Sequence, residues 1–158
     1  MGKSCFFIGH RDTAQAVNPL LLDSIGKHIT EHGVTDFYVG HYGAFDAMVA
    51  NNLHEMKKHH PLIRNYLLLA YHPAIRKVDV PKGFESTVLI DGQELSPPLY
   101  AITNLNRRMV RTVDYLIAYV RGITGGSYKL LQIAKARERG GQLVITNLAD
   151  WEMGEYSK

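Results

Sequence analysis

The chain has 158 residues and a mass of 17.8 kDa, the size of one domain at roughly 100–200 residues per domain. An apolar share of 46% and a charged share of 21% exclude wholesale disorder, and 14 glycines with 6 prolines exclude collagen-like and low-complexity chains. The net charge of +3 is too mild to argue for a nucleic-acid protein by itself.

Short apolar runs alternate with amphipathic stretches, which points to an α/β fold with a mainly parallel sheet. Residues 5–8 are apolar throughout and close on Gly9, as a buried strand does. Residues 19–32 have helical spacing. Leu21, Leu22, Ile25 and Ile29 share a face, Pro19 suits the first turn and Gly33 the C-terminal cap. Residues 35–39 are mostly β-branched and aromatic and end at Gly40. Residues 44–58 form a second helix on Phe45, Met48, Val49, Leu53 and Met56. Residues 66–71 read as a third buried strand. Residues 73–98 hold four of the six prolines and no helical period. They read as an excursion from the sheet, with a small strand and turn at 86–92. Residues 100–112 are the third helix, 114–120 the fourth strand and 122–126 a glycine-rich turn. Residues 127–139 are the fourth helix, ended by Gly140 and Gly141, and 142–147 the last strand. The tail over 150–158 carries Trp151 and Tyr156, which pack back or serve a partner. Right-handed crossovers then give a Rossmann-like three-layer sandwich over 1–158, with about five strands and helices on both faces.

The single cysteine, Cys5, excludes an internal disulfide framework and lies mid-strand as a core residue. No run approaches the ~18–20 apolar residues of a membrane span, and no signal-peptide pattern is present. The expectation is a cytoplasmic protein with no membrane partner. His28 and His32 share a helical face without a third ligand and read as surface histidines. His54 and His59 stand at i,i+5, where the two-histidine zinc geometry fails. No metal and no cofactor is expected.

In open α/β sheets, ligands bind beyond the carboxyl ends of the strands. Three glycine-bearing turns fall there: Gly9-His10-Arg11-Asp12, then Gly40-His41-Tyr42-Gly43, then Gly122 to Ser127. Glycine permits close backbone approach, and a helix N-terminus offers free N–H groups, so such turns cradle phosphates or simply close βα loops. The Rossmann G-x-G-x-x-G, the P-loop and the G-x-S-x-G elbow are all absent. Arg11 binds an oxyanion or pairs with Asp12. Asp46, in the first turn of its helix, caps it or accepts hydrogen bonds from a ribose or base. Arg107 belongs to a solvated face or aims at the cleft beside Asn106. Lys129 stands where the helix dipole disfavours a cation, which suits a nearby anion or a side chain in solvent. Residues 1–100 carry nine Lys/Arg and ten Asp/Glu, whereas residues 101–158 carry nine and five, so an anionic ligand is met by the C-terminal part.

Residues 7–11, Phe-Ile-Gly-His-Arg, resemble the opening T-G-H-R signature of the YpsA-like proteins of the SLOG (SMF/DprA–LOG) superfamily, with Ile8 in place of threonine. Gly40 to Asp46 is similar to that family's G-G-x-x-G-x-D turn, with His41 replacing its second glycine. The likeness continues through Asn106-Arg107-Arg108-Met109, residues 114–119, and Gly125-Gly126-Ser127-Tyr128-Lys129. The resemblance implies a nucleotide or nucleotide-derived ligand held by Gly9, His10, Arg11, Gly40, His41, Gly43, Asp46, Asn106, Arg107, Gly125, Gly126, Ser127 and Lys129. The LOG branch cleaves the N-glycosidic bond of nucleoside monophosphates with an arginine and a glutamate. Those positions fall here on Leu105 and on Leu131 and Gln132, or on Lys129 and Leu130. The expectation is therefore a sensor or non-catalytic binding domain. One alternative is a phosphoribohydrolase with Asp46 and Arg107 as candidate catalytic groups. A second is a DprA-like module handling single-stranded DNA, so nucleic acid is a partner of the alternative only. Related families commonly form homodimers.

Overall fold

Strand β1 (Lys3–Gly9) sends alternate side chains to opposite faces of the sheet. Cys5 and Phe7 enter one apolar core, whereas Phe6 and Ile8 enter the other. A strand buried on both faces belongs at the middle of a parallel sheet. In the computed structural model, which describes residues 2–152, β1 pairs with β2 (Val34–Val39) on one side. On its other side lies β5 (Tyr115–Tyr119), in the register Cys5↔Tyr115 to Gly9↔Tyr119. With β3 (Arg64–Leu68), β4 (Ser86–Val88) and β6 (Val144–Asn147), the order is β4-β3-β2-β1-β5-β6, and every pairing is parallel.

The sheet has six strands rather than about five. The added strand is β4, which comes from within the 73–98 excursion and pairs Tyr66↔Ser86 to Leu68↔Val88. It is a three-residue edge strand with every residue half-buried, the small strand expected within 86–92, and its pairing with β3 is what the sequence did not show. Buried Asn65 anchors the approach to it. Its side-chain amide donates to the carbonyls of Leu53 (3.3 Å) and Gly83 (3.0 Å), and its own carbonyl accepts from Glu85 N–H at 2.8 Å.

Helices α1 (Asn18–Thr30) and α2 (Ala44–His59) cover the Cys5/Phe7 face through Leu21, Ile25, Phe45, Val49 and Leu53. Helices α3 (Ala101–Val110) and α4 (Gly126–Arg139) cover the Phe6/Ile8 face through Leu105, Met109, Leu130 and Ala134. The chain builds outward from β1 to β4, then crosses to β5 and β6, so the strand order reverses between β1 and β5. Fully buried Gln93 fixes the crossing. Its amide nitrogen donates to the carbonyls of Ala70 (3.2 Å) and Ala101 (2.8 Å), and Arg108 donates to the Asp91 carbonyl at 2.6 Å. These bonds set where α3 starts. At the C-terminal end, residues 148–151 form a short 3₁₀ turn that brings the Trp151 ring to 5.9 Å from the Lys27 ammonium, so this part packs back on α1. Tyr156 lies outside the described residues. Among the described residues no helix is long and apolar enough to cross a membrane.

His28 is not a surface histidine: it is 2% exposed. Its Nδ1–H donates to the Ser24 carbonyl at 2.7 Å, and its Nε2 has no partner. The rings of His32 and Tyr115 pack on it at 5.1 and 5.5 Å. The face expected to meet solvent is closed by the Tyr115 ring at the start of β5. Burial pushes the His28 pKa down, against the Ser24 carbonyl, which favours the charged ring. The folded state therefore binds this proton less readily than the unfolded chain does. Stability is held above the ordinary value near 6.5 and falls as pH drops below it. Denaturant unfolding at about pH 5 and about pH 7.5 should show this loss, and His28→Gln should reduce it; identical pH slopes in the two proteins would contradict the assignment.

Candidate functional site

The turns after β1, β2 and β5 meet at one point. The Arg11 carbonyl accepts from Ala44 N–H at 2.9 Å, which ties the first turn to the second. His10 Nε2 accepts from Arg121 N–H at 2.9 Å, and Ser127 Oγ–H donates to the Gly9 carbonyl at 3.4 Å, which ties it to the third. This bond occupies the Nε2 lone pair of the His10 ring. That ring stands edge-on to Tyr119 at 5.8 Å. His10 is thus a structural bridge at the cleft wall.

The glycines of these turns have different reasons to be glycine. A Cβ on Gly9 would stand 2.2 Å from Phe45 Cγ, so this glycine lets α2 pack against the end of β1. A Cβ on Gly43 would stand 2.7 Å from Arg11 Cα, and one on Gly40 would stand 3.0 Å from Asp46 Oδ2. Gly125, at the N-cap of α4, has φ +95°, a conformation L side chains rarely adopt. Gly126 alone has an ordinary φ and open space where a side chain would be.

That open space belongs to a cleft of about 410 Å³ between α3 and α4, over β1. Its floor is apolar: Phe6, Ile8, Ile102, Leu130 and Ile133. Thr103, Asn106 and Ser127 offer neutral polar groups. Gly9, His10, Arg11, Gly40, Asp46, Asn106, Arg107, Gly126, Ser127 and Lys129 all line it, so ten of the sequence-derived residues are brought together. Three are not. His41 and Gly43 line a second hollow of about 260 Å³ on the α2 side, beside Val78 and Pro81, and Gly125 lines neither. The sequence reading missed Tyr42, Thr103, Ile102 and Ile133. Helical spacing could have found three of them. Ile102 and Thr103 lie one turn before Asn106 and Arg107, and Ile133 one turn after Lys129.

Three cations border the cleft, each from a different element: Arg11 after β1, Arg107 on α3 and Lys129 on α4. All three are exposed, and among the described residues none of their side chains forms a hydrogen bond or ion pair. The Arg11–Asp12 pair is not made. Two acids line the cleft, exposed Asp12 and half-buried Asp46. Asp46 does not cap α2; its Oδ2 accepts from the loop N–H of Tyr42 at 3.1 Å. Burial pushes its carboxyl above the ordinary value, and the Tyr42 N–H offsets part of that. The cleft therefore favours a negatively charged guest with an apolar or aromatic body. Among the described residues no group of three or more His, Cys, Asp or Glu comes together as a metal site would need. No protein-family model matches the chain, and no curated protein matches it.

These geometries separate structural glycines from the open one. Gly9→Ala should cost about 1–3 kcal/mol through overpacking on Phe45, whereas Gly126→Ala should stay within about 0.5 kcal/mol. Equal losses in denaturant unfolding would refute that division. Asp46 binds its proton more tightly in the folded state, so its contribution to stability is lost as pH rises above its ordinary value of 3.8. Asp46→Asn keeps an acceptor for Tyr42 N–H and removes the disfavoured charge. It should be the more stable protein at about pH 7.5, with the gain shrinking toward about pH 4; a less stable variant at neutral pH would count against the burial argument.

Proposed function

We propose that the chain is a SLOG-type domain that binds a nucleotide or nucleotide-derived small molecule in the cleft between α3 and α4, as a sensor or carrier that does not turn it over. The observation that carries this reading is the set of three unpaired cations around an apolar floor at the strand-order reversal. In such sheets the crevice beyond the strand ends is where ligands sit. A phosphate fits the open start of α4, where the Gly126 and Ser127 backbone and Lys129 offer donors and charge. A base fits the strip of Ile102, Leu130 and Ile133, with Asn106 able to both donate to it and accept from it.

The absence of turnover rests on what occupies the catalytic positions of the resembled family. Leu105 and Leu131 are 1% and 3% exposed and belong to the core, and the other placement puts Lys129 and Leu130 at the cleft, so neither placement supplies a carboxylate. Cleaving an N-glycosidic bond passes through an oxocarbenium-like state that a charged carboxylate stabilises. Burial disfavours the charged form of Asp46, which weighs against it in that role. The same property favours one second reading, in which Asp46 protonates a leaving base while Arg107 holds the phosphate.

A thermal-shift panel of nucleoside mono-, di- and triphosphates, dinucleotides and a short single-stranded oligonucleotide tests the binding. A ligand at about 100 times its dissociation constant adds about 2.7 kcal/mol, several degrees in Tm. Gly126→Asp and Arg107→Ala should abolish the shift while leaving the unliganded Tm near the parent value. A panel with no shift, or one in which only the oligonucleotide responds, contradicts the reading. Free base released from a monophosphate, and lost in Asp46→Asn, would establish the hydrolase instead.

A further inference from the structure

Arg11 is held more firmly than its exposure suggests. A Cβ on Gly43 would stand 2.7 Å from Arg11 Cα and 3.0 Å from its Cγ, so the absence of a side chain there lets the Arg11 stem lie against the turn after β2. The Arg11 carbonyl accepts from Ala44 N–H at 2.9 Å. The preceding residue is fixed as well. The His10 carbonyl accepts from Thr13 Oγ–H at 2.7 Å, and its ring accepts from Arg121 N–H at 2.9 Å. Backbone and stem are therefore clamped from the turns after both β2 and β5. Arg11 borders the cleft, and its guanidinium makes no hydrogen bond or ion pair among the described residues. A clamped stem with a free planar fork loses little freedom on meeting an oxyanion, and its geometry suits two parallel bonds to phosphate.

The other anion-binding groups lie on the far side of the strand-order reversal. Lys129 stands on the first turn of α4, which follows β5, and Arg107 on α3 beside it. One phosphate monoester carries about −1.5 to −2 at neutral pH. With Asp12 and Asp46 also facing the cleft, charge alone does not call for a second anionic group. The placement does: Arg11 stands on one side of the strand-order reversal and Lys129 and Arg107 on the other, so a guest with two anionic groups meets both sides.

We propose that the ligand bears two linked phosphates, as a nucleoside diphosphate or one of its esters does, and that Arg11 is the residue that reads the second. The inference rests on the cleft being the nucleotide site. On this assignment one phosphate sits at the start of α4 with Lys129, and the other takes the Arg11 fork.

Titration calorimetry of the full chain tests it, with the mono- and diphosphate of one nucleoside and a chelator to remove divalent cations. The wild-type protein should bind the diphosphate at least about tenfold more tightly than the monophosphate. Arg11→Gln preserves most of the stem that packs on Gly43 but lacks the charge. It should weaken diphosphate binding more than monophosphate binding and bring the two affinities within about twofold of each other, with an unliganded Tm near the parent value showing that the fold is intact. Arg11→Lys keeps the charge without the fork and should fall between. Equal wild-type affinities for the two nucleotides overturn the inference and leave the nucleotide site standing. Equal weakening of both by Arg11→Gln also overturns it, because Arg11 would then serve the first phosphate. Binding of neither nucleotide contradicts the cleft assignment, and the inference falls with it.

Discussion

Everything in this structure depends on the burial of β1 on both faces and along both edges. Phe6 and Ile8 go to one core and Cys5 and Phe7 to the other, while β2 and β5 take up the two rows of backbone groups. Parallel connections cross over with one hand, so the two directions of growth from β1 must place their helices on opposite faces. Helices α1 and α2 cover one face, and α3 and α4 the other. The carboxyl end of β1 is where these two coverings part. The cleft is a consequence of the sheet order before any particular side chain is considered.

The side chains around that opening show what the fold sustains at a cost. Most polar groups near it are satisfied. His10 bridges two turns, Gln93 fills the crossing with two donated bonds, and Ser127 reaches the Gly9 carbonyl. Asp46 stands apart as a half-buried carboxylate with one backbone donor and no cationic partner. Arg11, Arg107 and Lys129 stand apart in the opposite sense, as cations whose side chains form no hydrogen bond or ion pair among the described residues. Groups in disfavoured or unpaired states gathered at one edge of the sheet are what the proposed binding reading rests on.

Much of this was legible in the sequence. The four helices and five main strands follow from apolar periodicity, because their buried faces are long enough to repeat. The shared sheet edge of the glycine turns follows from their position after strands, which is why ten site residues converge. Three things were not legible. β4 was expected as a small strand at 86–92, but three half-buried residues carry no sign that it joins the sheet beside β3. His28 was misplaced because the partner that buries it, Tyr115, is far away in sequence and arrives only through the β1–β5 pairing. The reasons for the glycines also depend on distant contacts. Gly9 answers to Phe45 and Gly43 to Arg11, so three similar-looking turns carry two packing requirements and one open cradle. His41 sits in the middle of a convincing motif, yet it lines a different hollow.

The central claim is that the guest occupies the cleft over β1 and touches the start of α4. Two-dimensional amide NMR of the labelled protein, titrated with a nucleotide, tests it residue by residue. The account predicts shift changes concentrated at residues 9–12, 103–107 and 126–129, with the Gly126 and Ser127 amides moving downfield as they donate to phosphate. Changes confined to the second hollow around His41 and Val78, or spread evenly over the surface, would contradict it.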